Sequence, residues 1–114
     1  MRGRALVGAL ATLAVASGMT IPALAFGGGH AAATHSVTLK DIRFHPGALS
    51  IKRGDTVTWL WEDKGVEHNV TGSGFKSRTM TKGSFSVRFT RAGTFNYRCT
   101  IHAAEGMKGS IVVH

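Results

Sequence analysis

The chain has 114 residues, room for one domain, and its one cysteine rules out an intrachain disulfide. It carries 14 Lys and Arg against six acidic residues, a formal net charge of +8. The basic residues are scattered, with no recognition helix and no aromatic nucleic-acid motif beside them, which argues against nucleic-acid binding and leaves acidic partners, anionic surfaces or plain solubility as the meaning of the charge.

The first element in chain order is a leader. Met1-Arg2-Gly3-Arg4 is a basic start, Ala5 to Ala25 is almost continuously apolar, and Ala23-Leu24-Ala25 supplies a small-x-small cleavage site. Residues 1–25 are therefore expected to be a secretory signal peptide cut after Ala25, with Ala33 offering a second cut. An uncleaved membrane anchor is the rival, because the apolar run is about long enough to span; Pro22 and the glycine-rich stretch that follows favour cleavage. No cysteine stands near the cut, and Gly3 separates Arg2 from Arg4, so neither a lipoprotein anchor nor a twin-arginine route is expected. The chain is read as a bacterial protein exported by the general route to the periplasm or beyond. Without Arg2 and Arg4 it keeps 12 basic residues against 6 acidic, about +6. Residues 26–34 are expected to be a flexible lead-in, and residues 35–114 the domain.

Within the domain the pattern is almost all strand. Val37 and Leu39 alternate with Thr38 and Lys40, and Leu49 and Ile51 with Ser50 and Lys52. Val57, Trp59 and Trp61 share one face, as do Phe85, Val87 and Phe89. Turn signals separate these runs at Pro46-Gly47, Arg53-Gly54-Asp55, Gly72-Ser73-Gly74, Lys82-Gly83 and Ala92-Gly93. The expectation is an all-β protein, a Greek-key β-sandwich of about seven to eight strands, with Phe44, Trp59, Trp61, Phe85, Phe89, Phe95 and Tyr97 in its core. On the last long strand Phe95, Tyr97 and Cys99 point inward, opposite Thr94, Asn96 and Arg98.

Chemistry concentrates where that strand ends. Cys99-Thr100-Ile101-His102 and Met107 gather a thiol, an imidazole and a thioether in one loop, and Glu67-His68-Asn69-Val70 offers a second imidazole. Taken singly, each has a bland reading: a lone cysteine is usually a small buried hydrophobe, and a lone methionine fills gaps. Together, one cysteine, two histidines and one methionine form the ligand set of a type I copper site placed at one pole of the sandwich. Zinc could use Cys99, His68 and His102, but would leave Met107 without a purpose. His30, His35, His45 and His114 lack such context and are assigned no metal role. An unpaired thiol in an oxidising compartment is a liability that a bound copper ion removes.

From His35 to His114 the chain resembles the small type I copper proteins of the plastocyanin and amicyanin kind, in the cupredoxin family. The resemblance runs through Phe44-His45-Pro46-Gly47, Leu49 to Trp59, His68-Asn69-Val70 and Gly93-Thr94-Phe95-Asn96-Tyr97. It implies that His68, Cys99 and His102 hold copper, that Met107 is the axial ligand, and that Asn69 ties the two ligand loops together. The interval of four residues between His102 and Met107 resembles the plastocyanin loop rather than the shorter amicyanin one. Three positions depart from the family pattern. Ile101 stands where proline is usual and keeps an N–H that could donate to the Cys99 sulfur; Arg98 replaces a tyrosine used by partners of plastocyanins; Trp61 replaces a polar residue and is expected to add core.

The resemblance implies an exported, monomeric one-electron carrier cycling between Cu(I) and Cu(II), and not an enzyme. Its partners would be a donor and an acceptor redox protein docking near His102, with Ala103, Ala104 and Phe75 around that ring and Lys76, Arg78 and Lys108 as rim charge for acidic partners. A membrane enters only if the leader stays attached. A copper-storage module and a metal-free interaction domain are the rival readings; the first lacks a methionine-rich segment, since only Met80 and Met107 follow the leader.

Overall fold

The alternating runs become nine strands in the computed structural model, which describes residues 31–114. They are β1 (Thr34–Lys40), β2 (Arg43–His45), β3 (Ala48–Ile51), β4 (Thr56–Trp61), β5 (Thr71–Gly72), β6 (Phe75–Lys76), β7 (Gly83–Arg88), β8 (Gly93–Arg98) and β9 (Lys108–Val113). The only helical turn among the described residues is a 3-10 turn at Ala103–Glu105. The expected leader, His30 and most of the lead-in lie outside the described residues.

Two sheets form the sandwich, in the orders β2-β1-β4-β7 and β3-β9-β8-β5-β6. The β1–β4 and β3–β9 pairs are parallel and the remaining pairs antiparallel. Val37, Leu39, Val57, Trp59 and Trp61 face inward from the first sheet, and Ile51, Tyr97, Ile111 and Val113 from the second. The expected aromatic core is present, with Trp59 stacked on Phe75 and meeting Tyr97 edge-on. Phe85 and Phe95 are only partly buried. Phe85 belongs to β7, an edge strand covered from one side, which is why its face closes less completely than that of β4.

Close packing around Tyr97 depends on two glycines. Gly72 on β5 and Gly109 on β9 flank Tyr97 on β8 in register. The Phe75 ring lies over Gly72 and the Tyr97 ring over Gly109, so that a Cβ at either glycine would stand 2.4 Å from ring atoms. Large and small side chains thus alternate along one row. The Tyr97 hydroxyl and the Trp59 indole nitrogen are buried there without a completed hydrogen bond. Burial pushes the Tyr97 phenol above its ordinary range, opposed by the nearby Trp59 N–H.

The β1–β2 hairpin has a two-residue loop, Asp41 and Ile42, with φ of 53° and 56°. Positive φ at both positions is what a type I′ turn requires. A β-branched residue there stores roughly 1–2 kcal/mol of strain. Arg43 stiffens the turn by donating to the Ile42 carbonyl at 3.0 Å.

Strand direction sets the two poles. β8 runs from Gly93 to Arg98 and opens onto the Cys99 loop, while β9 returns from Lys108 to Val113. Thr56, Arg88, Gly93 and Val113 therefore mark the far pole. Both ends of the described chain are tied there: Thr56 N–H donates to the Ala33 carbonyl at 2.9 Å and His114 N–H to the Ile51 carbonyl at 2.9 Å.

Replacing Gly109 with alanine should cost about 1–3 kcal/mol, because the new methyl would stand 2.4 Å from atoms of the buried Tyr97 ring. Urea denaturation reads this as a lower midpoint at unchanged slope; a midpoint within error of the parent would show that the ring can move aside.

Candidate metal centre

Cys99 follows β8 directly and keeps the inward phase set by Phe95 and Tyr97, which leaves its side chain fully buried. His102 stands three residues on, half-buried, and its carbonyl accepts from Glu105 N–H at 2.9 Å and Met107 N–H at 3.2 Å. Met107 is fully buried, and its own carbonyl accepts from Cys99 N–H at 3.1 Å. Gly106, at φ 92°, closes this loop in a conformation few other residues adopt.

His68 lies on a different segment, held on both sides. It exchanges two backbone hydrogen bonds with Met80, at 2.9 and 3.0 Å, and its carbonyl also accepts from the Trp61 indole at 3.0 Å. Trp61 adds core as expected and also pins this histidine. The His68 segment is joined to the Cys99 loop by Asn69, whose side-chain oxygen accepts from Thr100 N–H at 3.0 Å while its amide donates to Thr100 Oγ1 at 2.9 Å. Asn69 thus makes the tie that the resemblance implied.

Three donor atoms converge as a result. His68 Nδ1 and His102 Nδ1 are 3.2 Å apart, and Cys99 Sγ is 3.8 Å from the first and 3.5 Å from the second. A first-row metal bonded to two imidazoles and a thiolate at about 2.0–2.3 Å in one plane needs a triangle with edges of roughly 3.5–3.8 Å. The two sulfur–nitrogen edges fall in that range and the nitrogen–nitrogen edge, at 3.2 Å, is shorter, so the residues present fit such an ion once the two imidazoles spread slightly. His35, His45 and His114 are engaged elsewhere, with Asp55, the Lys40 carbonyl and Ser50.

Two expectations need correction. Phe75 does not border His102: its ring packs on Trp59, Phe89 and Tyr97 inside the sandwich, because Gly72 leaves it space there. The Ile101 N–H makes no hydrogen bond to the Cys99 sulfur; among the described residues that sulfur's hydrogen-bond partners are the two imidazole nitrogens. Ile101 instead turns outward, 47% exposed.

The sequence reading missed Asp63. Its Oδ2 lies 2.8 Å from His68 Nε2 and also accepts from Ile42 N–H at 3.0 Å. The contact with His68 is the main reason the Asp63 carboxyl is held below the ordinary carboxylate range; burial opposes it, and the backbone N–H of Ile42 adds to it. A carboxylate on Nε2 makes that nitrogen the protonated one and leaves Nδ1 free as a lone-pair donor toward Cys99 and His102. Asp63 stands in an aperiodic loop, and only the turn closed by Val66 N–H on the Asp63 carbonyl, at 3.0 Å, folds it back over the ring.

A two-sheet β-sandwich with two imidazoles and a thiolate converging at one pole is the architecture of a cupredoxin, a type I copper protein. Comparison with known proteins agrees. Residues 31–114 match the family described as copper binding proteins, plastocyanin/azurin family. Plastocyanin from Scenedesmus fuscus is 34% identical over 84 residues, 61% of this chain and 85% of that protein. Amicyanin from Paracoccus denitrificans is 34% identical over 85 residues, 68% of this chain and 63% of that protein. The structure of an oxidised amicyanin variant superposes with a TM-score of 0.62 at 32% identity, covering 70% of this chain and 81% of the other. The chain belongs to the plastocyanin/azurin family of copper-binding proteins, and its cofactor is copper.

Replacing Asp63 with asparagine should keep copper bound, since the amide oxygen can still accept from Nε2, while removing a negative charge that favours Cu(II). One charge about 7 Å away at an effective dielectric near 20 is worth roughly 2 kcal/mol, so the reduction potential should rise by on the order of 100 mV. Voltammetry checks this, and a potential that stays or falls would show that the carboxylate does not act through His68.

Proposed function

We infer that this chain is an exported one-electron carrier in which His68, Cys99 and His102 would hold copper, with Met107 as the fourth residue of the donor set, its thioether favouring the reduced ion. The observation that carries the reading is the triangle of donors 3.2, 3.5 and 3.8 Å apart. Copper bound there supplies a single-electron change between Cu(I) and Cu(II). Thiolate and thioether suit the reduced ion and imidazole the oxidised one. A rigid donor set of both kinds favours neither strongly and moves little between them.

The protein contributes rigidity and an exit. Asn69, Trp61, Met80 and Asp63 hold the His68 segment so that its donor atom stays in position. His102 is the half-exposed donor, and Ala103, Ala104 and Ile101 surround it with a small apolar rim. Weak electron-transfer contacts are typically small, so a rim of this kind suits brief docking of a donor and then an acceptor protein. The three donors lie within 4.8 Å of one another, which suits a carrier that holds a single ion. The working form is a monomer.

Visible absorption and paramagnetic resonance of the Cu(II)-loaded chain test the site. An intense thiolate-to-copper band with narrow copper hyperfine splitting is expected, and Cys99→Ser should abolish the colour. A pale, ordinary Cu(II) spectrum would mean that the four side chains do not bind as assigned.

The place of work is outside the cytoplasm, reached through the leader at residues 1–25. Amino-terminal sequencing of the exported protein should begin at Phe26. A start at Thr34 would place the cut after Ala33 instead, and an intact Met1 would favour an anchor.

A further inference from the structure

The turn that carries His102 has little core to hold it. No side chain of the 3-10 turn Ala103–Glu105 is buried, Ile101 is exposed, and burial resumes only at Met107. The turn's own hydrogen bonds give it a shape without attaching it to anything: Glu105 and Met107 N–H donate to the His102 carbonyl, and Gly106 N–H to the Ala103 carbonyl. Among the described residues, the backbone from Ile101 to Gly106 makes one hydrogen bond to a distant segment. Arg43 Nη1 donates to the Glu105 carbonyl at 3.2 Å, across 62 positions of sequence.

The other end of this bracket is the hairpin turn. The same Nη1 donates to the Ile42 carbonyl at 3.0 Å. The Ile42 N–H goes to Asp63 Oδ2 at 3.0 Å, the oxygen that meets His68 Nε2 at 2.8 Å. Ile42 stands at φ 56°, where a β-branched side chain is a true outlier. Outliers of this kind gather where a site needs a fixed geometry. Packing of the Ile42 side chain against the core offsets part of the cost. Both backbone polar groups of the strained residue are committed, one toward each histidine.

We propose that Arg43 is a positioning residue for His102. From the β1–β2 hairpin it brackets the turn that carries the half-exposed imidazole, and through Ile42 and Asp63 it refers the place of that ring to the place of His68. The inference rests on the reading of His68, Cys99 and His102 as the copper ligands. One nitrogen with two N–H groups, each given to a different carbonyl, fixes the spacing between the two segments that bear them. Asn69 already fastens the cysteine end of the loop through Thr100. Arg43 fastens the stretch beyond it, which would otherwise be tied at its two ends alone.

Amide hydrogen exchange of the full chain, Cu(I)-loaded and metal-free, reads the bracket at Glu105, Gly106 and Met107, whose N–H groups close the turn. Arg43→Met should speed exchange there by about 3-fold to 10-fold, the effect of one exposed charge-assisted contact, and leave the amides of β4 and β8 unchanged. Arg43→Lys keeps a nitrogen able to donate to both carbonyls and should recover most of the protection. Lys40→Met is the control: it removes the same charge from the residue paired with Arg43 in the hairpin, and exchange in the turn should stay as in the parent. In the Cu(II)-loaded chains the copper hyperfine lines should broaden for Arg43→Met and not for Lys40→Met. Equal acceleration in those two variants would make the effect one of charge, and acceleration throughout β4 and β8 one of overall stability. Unchanged exchange in Arg43→Met would show a turn that holds itself, and faster exchange with unchanged hyperfine lines a brace that does not reach the ring. Each of these four results overturns the proposal. The metal-free exchange does not depend on copper, so a failure of the copper reading appears separately, as an ordinary Cu(II) spectrum of the parent.

Discussion

One amide holds the centre together. The upstream imidazole and the thiolate arrive on segments 31 residues apart, and the side chain of Asn69 meets the backbone N–H and the hydroxyl of Thr100 to fasten one to the other. Asn69 is buried, where an unsatisfied amide would be costly, so the geometry that satisfies its oxygen and nitrogen is also the geometry that brings the donors into register. Its oxygen also accepts from Thr71 Oγ1, and its amide donates to Thr79 Oγ1, each at 3.0 Å. The same residue therefore links the ligand loop, the start of β5 and the segment that pairs with His68.

A second line of support reaches the centre from the β1–β2 hairpin. The strained Asp41-Ile42 turn presents the Ile42 N–H to Asp63, and Asp63 accepts from the outer nitrogen of His68. Arg43, in the same hairpin, donates to the Glu105 carbonyl at 3.2 Å and so braces the turn that follows His102. Strain of this kind persists only where surrounding contacts over-determine it. Here those contacts lead to both histidines.

Period-2 alternation made the inward faces of β1 and β4 readable, and it placed Cys99 correctly because that residue simply continues the phase of Phe95 and Tyr97. The convergence of His68, Cys99 and His102 was readable through the family resemblance. Other features have no linear signature. β5 and β6 are two residues each, too short for any periodicity. Phe75 was expected beside His102 through the resemblance, whereas the space that receives its ring is made by Gly72, three residues earlier. Asp63 meets His68 through a turn, and no spacing rule joins a loop carboxylate to an imidazole five residues on.

The tethering of Ala33 and His114 at the pole away from Cys99 has a practical meaning. Anything joined to either end of the domain, whether a fused protein, a surface linker or an electrode attachment, leaves from the side remote from the donor atoms. Immobilisation through a chain end is thus oriented by the fold itself: it turns His102 and its apolar rim toward solution, and no engineered loop is needed to aim them.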